Sequence, residues 1–453
     1  MEFTTGFKQQ VKELFVAELE RHLDGSAHEG IEQIESTLRQ MLVSIGAECL
    51  GAYLSAQAPS YPPDRVPCSC GAEAEYHSHR PAMVHSTLGN ASYQRPYYTC
   101  PICHSGQSPL DARLGLGPGQ VTTGLSILLA IAGAETAFDH ASQLVERFLL
   151  IEVSENTVRK ETQRYGQLQA EREQQWIGES QDAEHYRERH RTAKERPRRV
   201  YGSIDGAHVP LSGEWREMKV GCWYQAVPRK QRGRAANDQA AVGETSGLHA
   251  EGINYYCDMQ PASEFGELVW ATGCQQGADL ADEVVFVADG AAWIWKLVSF
   301  YFPEAVQIVD WYHATAYLEA LAEQAFGEGE PLRELWLEEA KGELWDGQVD
   351  HVIAACREWE AHPRAGQAAR EAISYYTNNR QRLDYARFRR AGYMIGSGTV
   401  ESGCKQIVTQ RLKRSGARWA KAGARMTAKA RAAYLSGQLD ELSACRRQSL
   451  ISA

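Results

Sequence analysis

Apolar positions in residues 1–55 recur at three- and four-residue spacing, with Val11, Leu14, Phe15, Leu19 and Leu23 on one stripe, and this predicts helix. The Pro-rich stretch AQAPSYPPDRVP (56–67) breaks the period and marks a boundary. Residues 68–110 are short, aromatic runs with cysteines, among which AEYHSHRPAMVHS and ASYQRPYYT read as strands. Helical periodicity returns from 120 to about 180 and gives way to the charged stretch YRERHRTAKERPRRV (186–200), a helix end or linker.

The pattern then changes to strands. RRVYGSIDGAHVPL, WREMKVGCWYQAV and GINYYCDMQ are three β-rich runs, the last two separated by the polar segment PRKQRGRAANDQAAVGETSG. SEFGELVWATGCQQG predicts a helix with Ser263 as N-cap. The apolar run EVVFVADG, the helical AAWIWKLVSFYF and the strand AVQIVDWYH follow, leading into a helical region from about 314 to 390. Three strands, helix, strand, helix, strand, helix is the order of a mixed sheet flanked by helices, in a multidomain α+β chain.

Length and composition narrow the class. The 453 residues, 43% hydrophobic and 23% charged, suit a soluble protein of several domains. VTTGLSILLAIAGA (121–134) is too short to span a bilayer, and the amino terminus lacks a basic start followed by an apolar run, so a cytoplasmic protein is expected. In that compartment most of the 11 cysteines are expected as thiols or metal ligands. The net charge of −10 argues against a nucleic-acid partner until it is resolved locally. Residues 316–350 hold ten acidic side chains against two basic ones, whereas 380–431 hold fourteen basic against two acidic. A phosphate backbone responds to the field of one face, not to the total.

Cys68-Ser-Cys70 and Cys100-Pro-Ile-Cys103 are two close pairs that could supply four thiolates to a structural Zn²⁺ from opposite ends of a small β-unit. The C-x-C spacing is unusual, His77, His79 or His104 are alternative ligands, and unliganded buried cysteines are the bland reading. Residues 137–167 read as a helix, a short turn and a second helix opened by Ser154, with Asn156, Arg159, Lys160 and Arg164 available to bases or phosphates. A plain pair of packed helices would give the same pattern.

Among the acidic residues, position does the sorting. Asp205 interrupts an apolar strand, where an unpaired charge is costly. Asp289 ends a strand before Gly290, at the edge where α/β sheets place ligands. Glu401 follows a Gly-Ser-Gly break at a helix start. Together they could hold two divalent cations for phosphodiester displacement. Singly, Asp-Gly turns and a favourable first-turn charge explain them as well. The basic run after Glu401, with Lys405, Arg411, Lys413, Arg414 and Arg418, favours the joint reading, because a phosphate strand would pass there. A solvated basic helix face is its alternative.

GSGTVESGCKQIVTQRLKRSGARW (396–419) resembles the Glu-bearing motif of the Kra-four family of bacterial insertion-sequence transposases, DDE enzymes with an RNase H-like core. The resemblance covers roughly 60–435 and implies a catalytic, metal-holding triad of Asp205, Asp289 and Glu401 with Mg²⁺ or Mn²⁺. It also implies Asp310 and His313 as an accessory Asp-x-x-His element similar to that of Mutator-like transposases, although a His packing on the sheet accounts for the pair equally well. The implied layout is a helical segment (1–60), a zinc-ribbon-like unit (61–115) and a helix-turn-helix-like DNA-binding region (116–180). After these come an RNase H-like core (196–318), a helical insertion (319–391) and a final Glu-bearing basic helix (392–435). The implied activity is cleavage at transposon ends and strand transfer into target DNA, by a homo-oligomer of two or more subunits at the nucleoid. A DNA-binding regulator that has lost catalysis, or an RNase H-like nuclease that cuts without joining, are the competing functions.

Overall fold

The computed structural model describes residues 5–23, 30–116, 121–228 and 247–452, so the polar segment expected between the second and third strands lies, except at its ends, outside the described residues. The chain divides into two compact units, residues 1–168 with 438–453, and residues 169–437.

The first unit opens with helices α1 (Thr5–Leu23) and α2 (Ile31–Ala56). A four-stranded antiparallel sheet follows in chain order, β1 (Arg65–Pro67), β2 (Glu73–Ser86), β3 (Gly89–Thr99) and β4 (Gly106–Gln107). Then come α3 (Pro109–Arg113), α4 (Thr123–Glu135), α5 (Phe138–Leu149) and the start of α6 (Glu155–Gln181). The Pro-rich stretch does end α2, but it does not end a core: Leu54 of α2 packs with Val84, Ala91, Tyr93 and Leu110. Prolines stop an element because they remove an N–H donor, and the apolar stripe on the element still has to be buried. No helix among the described residues is long and apolar enough to cross a membrane.

The second unit begins within α6 and continues with α7 (Ala183–Thr192), which occupies the charged stretch. Its sheet has the order β7-β6-β5-β8-β9, with β5 (Arg199–Leu211), β6 (Glu214–Pro228) and β7 (Leu248–Asp258) antiparallel, and β8 (Glu283–Ala288) and β9 (Val306–Val309) running parallel to β5. Helices α8 (Ala262–Gln275) and α9 (Ala292–Tyr301) make the crossovers. The three strands, helix, strand, helix, strand expected from the sequence are all present. Helix α8 starts one residue before Ser263, after Pro261, so Ser263 is not its cap. Pro261 takes the cap position with extended ψ of 157°, and Ala262 opens the helix.

After β9 come α10 (Trp311–Phe326), α11 (Pro331–Trp345), α12 (Val349–Arg357), α13 (Gly366–Asn379) and α14 (Tyr385–Arg390), then α15 (Gly398–Cys404), a π-turn over Lys405–Thr409, α16 (Gln410–Leu412) and α17 (Lys421–Leu435). Strand β9 is shorter than AVQIVDWYH suggests: Asp310 stops it and caps α10, accepting from the His313 N–H at 2.8 Å. The single basic helix expected after Glu401 is also broken, because residues 413–420 leave the helix and Gly416 takes φ +77°. The last helix, α18 (Leu439–Ser452), belongs to the first unit, where the buried Arg446 meets Glu161 of α6 at 3.2 Å.

The second unit buries a charged cluster. Lys429 of α17 contacts Glu173, Asp258 at 2.9 Å and the Cys257 carbonyl at 2.9 Å, while Arg425 binds Asp258 through two bonds of 2.7 and 2.8 Å. Burial pushes the Asp258 carboxyl up, but the Arg425 and Lys429 charges overcome it and hold the carboxyl below its ordinary value. Lys429→Ala should therefore cost roughly 3–5 kcal/mol of stability, read by urea unfolding, because the buried Glu173 loses its ion pair and Asp258 keeps Arg425 alone. The Asp258 contribution has a definite sign. A carboxyl depressed on folding stabilises fully above its unfolded value, about 4, and loses that contribution as pH falls through its folded value.

Candidate functional site

The four cysteines lie at the two turns of the small sheet. Cys68 and Cys70 sit in the β1–β2 turn, where Gly71 takes φ +86° and the Cys68 N–H donates to the Ala72 carbonyl at 2.8 Å. Only glycine enters that left-handed region freely, and this lets a one-residue spacing turn both thiols the same way. Cys100 and Cys103 occupy the β3–β4 turn, closed by the Cys100 N–H to the Ser105 carbonyl at 2.9 Å. Cys68 Sγ lies 3.6 Å from Cys103 Sγ, Cys70 Sγ lies 3.6 Å from Cys100 Sγ, and all four sulfurs fall within 4.8 Å of one another. Zn–S bonds of about 2.3 Å in a tetrahedron require sulfurs about 3.8 Å apart, so the cluster fits structural zinc. The histidine alternatives are engaged elsewhere or outside the set: His79 Nδ1 pairs with the Tyr76 hydroxyl at 2.8 Å, His77 Nδ1 with Ser78 at 3.0 Å, and His104 is not among the clustered donors.

The thiols also show why a cation belongs there. The Cys70 N–H and then the Ser105 hydroxyl lower Cys68 to about 6. The Ala72 N–H favours the Cys70 thiolate, yet the bonds from Cys103, Cys68 and Cys100 push Cys70 up to about 12. Four thiolates in one turn pair repel one another until a metal neutralises them.

Two of the carboxylates meet on β5 and β8, neighbouring strands inside the second sheet. Strands β5 and β8 pair in parallel with Gly202 opposite Phe286, so Asp205 and Asp289, each three residues further on, stand level on neighbouring strands. Asp205 Oδ1 accepts from the Gly206 N–H at 2.6 Å, and Asp289 Oδ1 from the Ala291 N–H at 2.9 Å. Burial, and then the Asp205 charge, raises the Asp289 carboxyl. Helix α15 packs closely on this sheet because Gly403 has no side chain; a Cβ there would lie 2.6 Å from the Tyr255 ring. Its Cys404 thiol bonds to Asp205, and burial first and the Asp205 charge second push that thiol well up. Glu401 lies on the same face of α15 as Cys404, three residues earlier.

Asp310 ties the pieces together. It is fully buried, caps α10, accepts from the Ser397 N–H, and meets His313 Nδ1 at 3.1 Å. Ser397 Oγ in turn donates to Glu401 Oε1 at 3.0 Å, and His313 Nδ1 lies 3.7 Å from the same carboxylate. The Asp310 bond raises His313 to about 9, with the charges of Asp310, Glu401 and Asp289 adding to it, so the imidazole is a cation at neutral pH. Among the described residues the set closing to metal-ligand distance is Asp310, His313 and Glu401, not Asp205, Asp289 and Glu401. Glu401 faces His313, and its side chain is 45% exposed, which leaves it room to rotate.

No family model matches this chain, and no curated protein matches it. The geometry therefore carries the functional argument.

The expected basic residues divide. Lys405, Lys413, Arg414 and Arg418 are exposed. Arg411 is not: it is buried with its guanidinium 5.2 Å from the centre of the Trp419 ring, and burial lowers it to about 10. Its place is in the packing of the turn, where the Trp419 indole also donates to the Leu412 carbonyl at 3.0 Å. In the first unit Ser154 caps α6, its hydroxyl accepting from the Thr157 N–H at 3.1 Å, and Asn156, Arg159 and Lys160 are exposed on the helix it opens. Helices α5 and α6 pack through Ala141, Val145, Ile151 and Val158, joined by the left-handed Leu150. The residue pattern left two participants unmarked, Cys404 and Ser397. Cys404 alone carried a signal, the three-residue step from Glu401.

Proposed function

We propose that this protein is a DDE transposase of the bacterial insertion-sequence type, with Asp205, Asp289 and Glu401 as its metal-holding carboxylates and the second unit as an RNase H-like core. The observation that carries the reading is that Asp205 and Asp289 stand level on β5 and β8, while Glu401 of α15 faces His313, whose charge environment also includes Asp289. The mixed sheet supports it as well, since three antiparallel strands extended by two parallel ones follow the run of strands and helices read from the residue pattern.

The donor set suits Mg²⁺ or Mn²⁺: hard oxygens, two of them level and mutually repelling. Bound there, such cations would activate a water or a 3′-hydroxyl and stabilise the leaving oxygen. The chain's own groups do the rest. Asp310 fixes the Ser397 backbone and thereby the root of α15, so Glu401 is held by a buried anchor. His313 adds a positive charge where the scissile phosphate would lie, and Lys405, Lys413, Arg414 and Arg418 offer contacts to the strand leading away from it. The zinc-ribbon-like sheet and the α5–α6 pair, with Arg159 and Lys160, would bind transposon ends. Joining two ends calls for a dimer or larger assembly.

The deciding experiment incubates the full chain with duplex bearing the inverted repeats that bracket its reading frame, across a Mg²⁺ and Mn²⁺ titration. Metal-dependent nicking at the ends with joined products is the expected result. Binding without nicking at any metal concentration would make the protein a regulator, and hydrolysed ends without joined products would make it a nuclease.

A further inference from the structure

Beside Asp289 the second unit opens into a cleft of about 1030 Å³ between α9, α10 and α13. That is the upper end of the roughly 300–1,000 Å³ that small-molecule sites occupy. Its walls are unlike those of an apolar pocket. Tyr317 and Tyr375 stack face to face, ring centroids 3.9 Å apart. The Arg382 guanidinium lies 4.9 Å from the centre of the Trp295 ring. Lys296 and Arg370 are exposed at the rim, against one acidic side chain in the lining, Glu371. Side-chain amides of α13 line the same space.

The cleft and the carboxylates share a wall. Gly290 lines it, the Tyr375 hydroxyl donates to the Asp289 carbonyl at 2.8 Å, and the Asp289 charge reaches the Tyr317 hydroxyl. A strand whose phosphodiester lay on Asp289 would bring an adjoining nucleotide within reach of the cleft. Planar aromatic faces, rim cations and amides answer the three parts of a nucleotide: base faces, phosphates and base edges. A paired base could not enter, because its faces are covered by its neighbours in the stack.

We infer that this cleft receives an unpaired nucleotide of the bound strand, its base against Tyr317 and its phosphates on Lys296 and Arg370. The inference rests on the transposase reading for the identity of the strand, but its test does not.

The test measures fluorescence anisotropy of a labelled single-stranded thymidine decamer on the full chain in EDTA, so that no cleavage enters. Tyr317→Leu is expected to weaken binding roughly 5- to 100-fold, as loss of a stacking partner does. Tyr317→Phe should bind like the parent, which separates stacking from loss of the hydroxyl or of the fold. Lys296→Ala with Arg370→Ala should weaken binding and flatten its salt dependence. Thymidine monophosphate should displace the probe at concentrations where inorganic phosphate does not. Parental affinity in Tyr317→Leu, or equal displacement by phosphate alone, overturns the inference. Failure of metal-dependent nicking with these binding effects intact would sink the transposase reading and leave the cleft assignment standing. Nicking with unchanged binding in the variants would do the reverse.

Discussion

On the proposed transposase function, Asp289→Asn is expected to lower metal-dependent nicking of end DNA by roughly a thousandfold or more, equivalent to about 4 kcal/mol of barrier, while DNA affinity in EDTA stays near the parent's. The substitution keeps the oxygen that accepts the Ala291 N–H, so the turn after β8 survives. It also removes a charge that burial and Asp205 already disfavour. A carboxyl whose folded value is raised costs folding stability while it is charged, so the uncharged variant should melt at or slightly above the parent temperature. Loss of activity with retained or increased stability is the signature of a charge kept for chemistry. Parental turnover by Asp289→Asn would remove this residue from the site, and a large drop in melting temperature would make it structural instead.

Removal of zinc is the second large effect. The core beneath the cysteine turns is small: Cys68, Ala74, Tyr98 and Cys100, with Val66, Ala72 and Tyr76 against them. Structural zinc in small peptides supplies apparent folding energies of about 10–16 kcal/mol, comparable to the whole stability of a typical domain. The purified chain should contain one zinc per subunit, and Cys100→Ser or a strong chelator should cost the β1–β4 sheet its protection from amide exchange. Protection across the second sheet, which owes nothing to these cysteines, should persist. A zinc content near zero in a preparation whose β2–β3 amides remain protected would defeat the assignment.

Much of this was legible along the chain. The order of strands and helices in the second unit follows from runs of β-branched and aromatic residues alternating with helical periods, and the structure keeps it. The C-x-C-G turn and the P-I-C turn lie where the sequence puts them, because each is a local device of a few residues. Ser154 as a cap was also readable, since its partner is only three residues away.

What misled was always non-local. The basic run after Glu401 looks like one helix face, yet Trp419 folds back on Arg411 and Leu412 and breaks it. The Pro-rich stretch looks like a domain border, yet α2 has its apolar face buried across it. Asp310 looked like a strand residue, and its capping of α10 and its bond to Ser397, 87 positions on, depend on how the sheet and the last helices meet.

By itself, then, the sequence determined the types of element and the two cysteine turns, because these depend on spacing and side-chain chemistry within short windows. Tertiary structure alone decided that Asp205 and Asp289 stand level, that Glu401 faces His313, that Arg411 is interior and that an aromatic, cation-rimmed cleft opens beside Asp289. The physical reason is that charge–charge distance and desolvation are set by strand register and helix packing, which join residues far apart in the chain and leave no periodic trace in it.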